Sequence, residues 1–400
     1  MLIRSLKGLL VAGALVHLAG CSTPMDAPGR LYPSTAPNTS AQAVMPAAAT
    51  PPAPTAQTMP VASPTARAPA IRIGLLLPLR SEALGPPANA LRAGFMAGYE
   101  RDREGYTVKL IETGDGPDDA LAAYTAALKD NDIVVGPLAR SDVKAIAASG
   151  MVGKPTLALN HPDGVAIPPN MLVMGLSIED EARQVAQWAA RDHPGAIALI
   201  VSGPNSWQRR LASAFAAQWK QLGNASQVVE LMASNGYLSE AGINALKLRV
   251  DADPPRLLFA ALDADQLRQV RGILGSELPA YGTSSVNPGT EPGMALAELD
   301  NLRLLDMPWQ VQSDHPAVMV YPRRASTRGT LDLDRLYALG IDAFRVAREI
   351  ALKGGAASFE MDGVTGRLKV SFGQGAARFE RTQAGVVYQG GAFKLADKRR

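Results

Sequence analysis

The sequence predicts an α/β protein built as two doubly wound, mostly parallel-sheet lobes with a small antiparallel appendage near the C-terminus. Three observations carry that reading. Short β-branched or Leu-rich runs alternate with amphipathic stretches of about 10–15 residues, the texture of βαβ units. The alternation comes as two series, one from Ile71 and one from Ser177. Beyond Ser358, Gly turns separate short alternating runs, which suits antiparallel strands.

In chain order, Ile71 to Leu77 is a buried-strand run stopped by Pro78. Pro86-Pro87 opens a helix through about Tyr99, with Leu91 and Phe95 on one face. Thr107 to Ile111 is a strand, and Asp115-Gly116-Pro117-Asp118 is a turn leading into a helix over Ala120 to Leu128. Asp132 to Val135, Ala139 to Ala148 and Thr156 to Leu159 repeat the pattern. The second series opens where Ser177 and Asp180 form a capping-box pattern, with Ile178, Ala182, Val185 and Ala189 on one stripe. Strands over Ile197 to Val201, Gln227 to Met232, Arg256 to Ala261 and Leu278 to Tyr281 alternate with helices over Trp207 to Leu222 and Asp265 to Leu274. A long helix from Asp334 to Lys353 turns Leu336, Ala343, Ala347 and Ile350 inward and ends at Gly354-Gly355.

Composition excludes several function classes. Among 400 residues, 40 Lys plus Arg against 37 Asp plus Glu leave a net charge of +3, which argues against phosphate-driven nucleic-acid binding. A single Cys rules out a disulfide framework and a thiolate-rich metal site. That Cys closes the N-terminal segment. Arg4 and Lys7 precede an apolar run from Gly8 to Ala19, of signal-peptide length. The run ends in Leu18-Ala19-Gly20-Cys21, which resembles a bacterial lipobox. Residues 1–20 are therefore expected to be a lipoprotein signal peptide and Cys21 the lipidated residue. Ser22, where Asp would retain such a protein at the inner membrane, points to the outer membrane on the same resemblance. Residues 21–70 are rich in Pro, Ala, Thr and Ser with hardly any charge, and are expected to be a disordered tether. The remaining body, 71–400, is expected to divide into one lobe of about 71–175 and 284–355 and another of about 176–283 and 356–390.

The wording of several segments resembles a known family. IGLLLPL, IVVGPL (Ile133 to Leu138), GLSIEDEARQVAQWA (Gly175 to Ala189) and LLFAALDADQLRQVR (Leu257 to Arg271) are four of its marks. LPAYGTSSV (Leu278 to Val286), ELDNLRLLDMPW (Glu298 to Trp309), RLYALGIDAFRVA (Arg335 to Ala347) and DGVTGRLKV (Asp362 to Val370) complete the set. Together they resemble the penicillin-binding protein activator family, the LpoA/LppC lipoproteins, across residues 71–390. That resemblance implies a type I periplasmic-binding-protein fold with an inter-lobe cleft. It also implies an outer-membrane lipoprotein, facing the periplasm, that binds and activates a class A penicillin-binding protein and so regulates peptidoglycan synthesis. Longer members carry an N-terminal helical-repeat domain; here the expected tether stands in its place. The competing reading is a solute-binding lipoprotein for amino acids or amides that serves an ABC transporter.

In open parallel sheets the ligand crevice lies beyond the carboxyl ends of the strands. Those ends give a candidate rim of Arg80, Ser81, Arg140, Ser141, Asn160, His161, Ser202, Asn205, Trp207, Asp263, Thr283, Ser284 and Ser285. Hydroxyl and amide groups with an Arg and an Asp suit a small zwitterion; the same residue types also cap helices and solvate loops.

Catalytic patterns are wanting. Ser141-Asp-Val-Lys144 has the Ser-x-x-Lys spacing of penicillin-recognising acyl enzymes, without the companion Ser-Asp-Asn and Lys-Thr-Gly elements. Ser141 is instead expected to cap the helix after Pro137. His161, His193 and His315 lack helical i, i+4 pairing for zinc. The carboxylate pairs Asp251/Asp253 and Asp263/Asp265 lack a partner pattern for glycosidase work. Trp188, Trp207 and Trp219 are read as packing residues, Trp309 as surface-facing, and Lys398-Arg399-Arg400 as a frayed tail. No catalytic residue, metal or cofactor is expected, and so no enzyme.

Overall fold

In the computed structural model, which describes residues 70–289, 296–323 and 330–396, the apolar run at Ile71 forms the first strand of a parallel sheet. The signal stretch, Cys21, the tether up to residue 69 and the basic C-terminal end lie outside the described residues.

The first lobe runs β1 (Ile71–Leu77), α1 (Gly85–Arg101), β2 (Tyr106–Glu112), α2 (Pro117–Asp130), β3 (Ile133–Val135), α3 (Arg140–Ala148), β4 (Thr156–Ala158) and β5 (Met171–Val173). Its strands pair in the parallel order β2-β1-β3-β4-β5. Pro86 and Pro87 fall in the first turn of α1, where a missing N–H breaks no helical bond. Ile73, Leu75, Leu77, Leu91 and Phe95 meet in one core, on the side where the sequence stripe placed them.

The second lobe runs α4 (Ile178–Asp192), β6 (Ala198–Ser202), α5 (Ser206–Gln221), β7 (Ser226–Glu230), the small hairpin β8 (Ala233–Ser234) and β9 (Tyr237–Leu238), α6 (Glu240–Ala252), β10 (Leu257–Ala261), α7 (Ala264–Leu274), β11 (Ala280–Gly282) and β12 (Arg303–Asp306). As expected, Ser177 caps α4, its hydroxyl accepting from the Asp180 N–H at 3.1 Å. The chain then returns to the first lobe as α8 (Pro308–Val311), α9 (Pro316–Met319) and α10 (Leu331–Leu352). Three antiparallel strands follow, β13 (Ala357–Asp362), β14 (Arg367–Phe372) and β15 (Arg378–Thr382), and last β16 (Ala384–Gln389) and β17 (Ala392–Leu395). The second sheet has the order β17-β16-β12-β11-β10-β6-β7, with β16 and β17 antiparallel at one edge.

Two features differ from the sequence reading. The antiparallel C-terminal part is not one appendage. Ala357, Leu368, Val370 and Phe372 join the core of the first lobe, whereas β16 and β17 extend the sheet of the second. The lobe boundaries shift accordingly: Val286, Leu296, Leu299 and Leu302 pack in the core of the second lobe, 303–306 belongs to its sheet, and 357–372 packs with the first lobe. Alternating hydrophobicity marks a face that must be buried but not the core that buries it. Trp309 is also buried, 3% exposed, with the Arg323 guanidinium 5.1 Å from its ring centre and Tyr337 at 5.3 Å. Trp188 and Trp219 are buried in the second lobe.

Helices α1 and α10 cross at two glycines. A Cβ on Gly94 would lie 1.8 Å from the Tyr337 carbonyl oxygen, and one on Gly340 2.1 Å from that of Leu91. Beside the crossing, Phe95 and Phe344 pack edge to face at 5.5 Å. Since α10 carries the side chains that reach the second lobe, this close crossing sets their position. Gly340→Ala should therefore lower unfolding stability by about 3 kcal/mol through overpacking, read as a lowered urea midpoint.

Candidate functional site

A cleft of about 620 Å³ opens between the lobes. Leu176, Ile178, Trp207, Ala264 and Leu331 give it apolar walls, and Glu181, Asp263, Asp265, Ser284, Ser285, Asn287, Asp332 and Arg335 give it polar ones. Strand ends and helix starts place these groups. Asp263 follows β10 and caps α7, accepting from the Gln266 N–H at 2.8 Å. Beyond β11, the Thr283 and Ser285 hydroxyls pair at 3.0 Å, and Ser285 donates to the Leu262 carbonyl at 2.8 Å.

The floor of the cleft is a buried network drawn from both lobes. Glu181, in the first turn of α4, accepts from the Ser284 hydroxyl at 2.6 Å, the Ser284 N–H at 3.0 Å and the Gln383 side-chain amide at 3.0 Å. Burial, reinforced by the nearby Asp306 charge, pushes its carboxyl above the ordinary value, against the pull of these hydrogen bonds and of Arg335. Arg335, from α10, donates to Asp306 at 2.8 Å, the Ser284 carbonyl at 2.9 Å and Asp332 at 2.8 Å. Burial alone would lower its pKa; the facing Asp306 carboxylate outweighs that and holds it above the usual value. Asp306, fully buried at the end of β12, also accepts from the Asn287 amide at 2.7 Å and the Met307 N–H at 2.8 Å. Nearby, Arg381 donates to the carbonyls of Met174 and Gly175, both at 2.9 Å, and burial pushes its pKa down to about 10.

Of the residues on the expected rim, the structure brings Trp207, Asp263, Ser284 and Ser285 together in the cleft wall. The others lie elsewhere. Arg80 pairs with Asp119 at 2.7 Å, and Ser81 accepts from the Leu84 N–H at 2.9 Å. Arg140 forks onto Asp163 at 2.9 and 3.0 Å. Ser141 does not cap its helix as expected: Ala139 occupies the cap position, and the Ser141 hydroxyl donates to Asp142 at 2.9 Å. Asn160 donates to the Leu138 carbonyl at 3.0 Å, and a His161 ring nitrogen lies 3.2 Å from the Gly175 carbonyl. Ser202 and Thr283 are buried at strand ends, and Asn205 begins α5 with its N–H held by the Gln208 side chain at 3.2 Å. Sequence reasoning passed over Glu181, Asn287, Asp306 and Arg335. A signal was present: Glu181, Ser284, Asp306 and Arg335 each fall in a different one of the family-like phrases.

Asp306 and Arg335 neutralise one another, and Glu181 is held by hydrogen bonds from Ser284 and Gln383, so the arrangement is suited to holding the lobes in register and offers no activated nucleophile. Among the described residues, no group of three or more His, Cys, Asp or Glu is placed to hold a metal ion. None of the described helices is long and apolar enough to cross a membrane.

A family model described as "LppC putative lipoprotein" matches residues 40–389. A relative from Mannheimia succiniciproducens named penicillin-binding protein activator LpoA is 28% identical over 330 residues, covering 80% of this chain and 54% of its own. One of the same name from Haemophilus influenzae is 25% identical over 337 residues, covering 80% and 54%. The chain thus spans about half the length of the curated relatives it matches. The solved C-domain of Haemophilus influenzae LpoA, described as a regulator of PBP1A, matches with a TM-score of 0.64 and 22% identity over 82% of this chain and 100% of that one. A "putative branched-chain amino acid ABC transporter" structure from Chromobacterium violaceum matches at 0.64 and 33% identity over 80% and 100%. These matches establish the periplasmic-binding-protein-like α/β fold.

Glu181 gives the site a pH signature. A carboxyl whose folded pKa lies above its unfolded value of about 4.3 favours folding below that value, and this contribution is lost as pH rises through the folded pKa. Among the described residues the Gln383 side-chain oxygen has no hydrogen-bond partner, so a flipped amide can accept from the amide that Glu181→Gln introduces. Glu181→Gln should flatten the fall in urea midpoint between pH 5 and pH 8 relative to the unaltered chain. An unchanged slope would mean that Glu181 is ionised throughout.

Proposed function

We propose, from the premise that the chain belongs to the LppC lipoprotein family, that it binds a class A penicillin-binding protein and raises its activity, so regulating peptidoglycan synthesis. The observation that carries this reading is the likeness to relatives named penicillin-binding protein activator LpoA, aligned over 80% of this chain. In this role the protein is a regulator and transforms no substrate itself.

A protein activates an enzyme only by binding its active conformation more tightly than its inactive one. The two-lobed body supplies the docking surface. The anchor is Cys21, lipidated at the periplasmic face of the outer membrane, with residues 22–70 as the leash. The family description as a lipoprotein and the sequence Leu18-Ala19-Gly20-Cys21 support this part. Each buried methylene of an acyl chain contributes about 0.8 kcal/mol, and several chains on one residue give stable anchoring. Tethering also raises the local concentration at which body and synthase meet. No nucleic acid, metal or cofactor enters this function.

A second reading, solute binding for an ABC transporter, is favoured by one observation: the 33% identity to the Chromobacterium violaceum structure. The two are separable. With the full mature chain in detergent, a class A synthase should polymerise glycan several-fold faster and be co-precipitated; no binding and no rate change would reject the activator reading. If the solute reading holds instead, leucine or another amino acid should raise the melting temperature of the chain through binding to the native state.

A further inference from the structure

We infer that Arg335 and Asp306 form an ionic latch that holds the two lobes at one fixed opening. The chain passes between the lobes at 174–177, 306–308 and 382–384. In a two-lobed protein, opening and closing are absorbed by a few residues at such crossings. Here side chains from both lobes tie all three together.

At the middle crossing, Asp306 ends a strand of the second lobe, and Arg335 reaches it from the long helix of the first lobe at 2.8 Å, also gripping the Ser284 carbonyl at 2.9 Å. At the other two, Arg381, the last but one residue of β15, holds the carbonyls of Met174 and Gly175. The Gln184 side chain of α4 donates to the Arg381 carbonyl at 3.0 Å and accepts from the Gln383 N–H at 3.2 Å, while the Gln383 amide donates to Glu181. The crossings therefore cannot bend independently.

Energetics make the middle tie decisive. The side chains of Arg335 and Asp306 are 10% and 0% exposed. A hinge rotation that separates them leaves two buried charges without their main partner, which is far costlier than breaking a surface pair. Asp332, on the same helix as Arg335 and 93% exposed, stays with Arg335 whichever way the lobes move and cannot replace Asp306. The latch turns a fold suited to closing on a ligand into a body of one shape. This inference goes beyond the function proposed above and holds whichever molecule docks on the body.

Hydrogen exchange on the full chain tests it. Three amides report on the ties: Met307, which donates to Asp306 at 2.8 Å; Ser284, which donates to Glu181 at 3.0 Å; and Gln383, which donates to Gln184 at 3.2 Å. Arg335→Met should speed exchange at these three by at least about tenfold while amides of β1 and β10, inside the two sheets, keep their rates. Arg335→Lys keeps the charge but loses the planar fork and should fall between. Should the Met variant fail to fold, the Lys variant decides the matter. Unaltered rates at the three amides in a folded variant, or uniform acceleration across both sheets, would overturn the latch.

Discussion

The buried pairing of Arg335 with Asp306 is the constraint on which the rest of this molecule depends. Each lobe has its own sheet and its own apolar core, so hydrophobic burial explains why the lobes fold but not how they are set against each other. The orientation comes from polar chemistry at the crossings. Buried ion pairs are weak sources of net stability, because desolvation offsets much of the attraction, yet they are intolerant of a missing partner. Such a pair selects one arrangement over its neighbours more than it strengthens the fold.

That choice bears on function. A cleft whose floor is occupied by Glu181, Ser284, Asp306 and Arg335, each hydrogen-bonded to the others or to nearby backbone, has little left to offer a zwitterion. The arginines of the expected rim, Arg80 and Arg140, are paired with Asp119 and Asp163 away from the cleft wall. A body with a fixed shape and a floor whose polar groups bond to one another suits recognition of another macromolecule through its outer surface. This agrees with the proposed role as an activator of a synthase.

The elements were legible where the local signal was strong. The run Ile71 to Leu77 has no reading but a buried strand, and the stripe through Leu336, Ala343, Ala347 and Ile350 marked α10, which starts three residues before Asp334. Helix α6 escaped notice because only Ile243 and Leu246 are buried, and Leu248 is exposed on another face, so no stripe forms. Strand β5 has only three residues, too few for a period to show, although Pro168-Pro169-Asn170 marks its start. The site was less legible for a different reason. Glu181 looks like an acid in the first turn of a helix, where the dipole welcomes one, yet its partners Ser284 and Gln383 lie 103 and 202 residues away. Tertiary charge pairing leaves no periodicity in a single sequence. Trp309 failed similarly: nothing local to Asp306-Met-Pro-Trp309 says which way the indole faces, and its burial comes from the distant Arg323 and Tyr337 that pack against it.

In the proposed function this body acts on a synthase by preferring its active state, and reciprocity of coupling makes that measurable without following turnover. The affinity of the mature chain for a class A penicillin-binding protein should be determined with the enzyme empty and with a glycan-chain analogue held in its polymerising site. Tighter binding to the occupied enzyme is the expected result. Equal affinity for the two forms, or no measurable affinity for either, would contradict it.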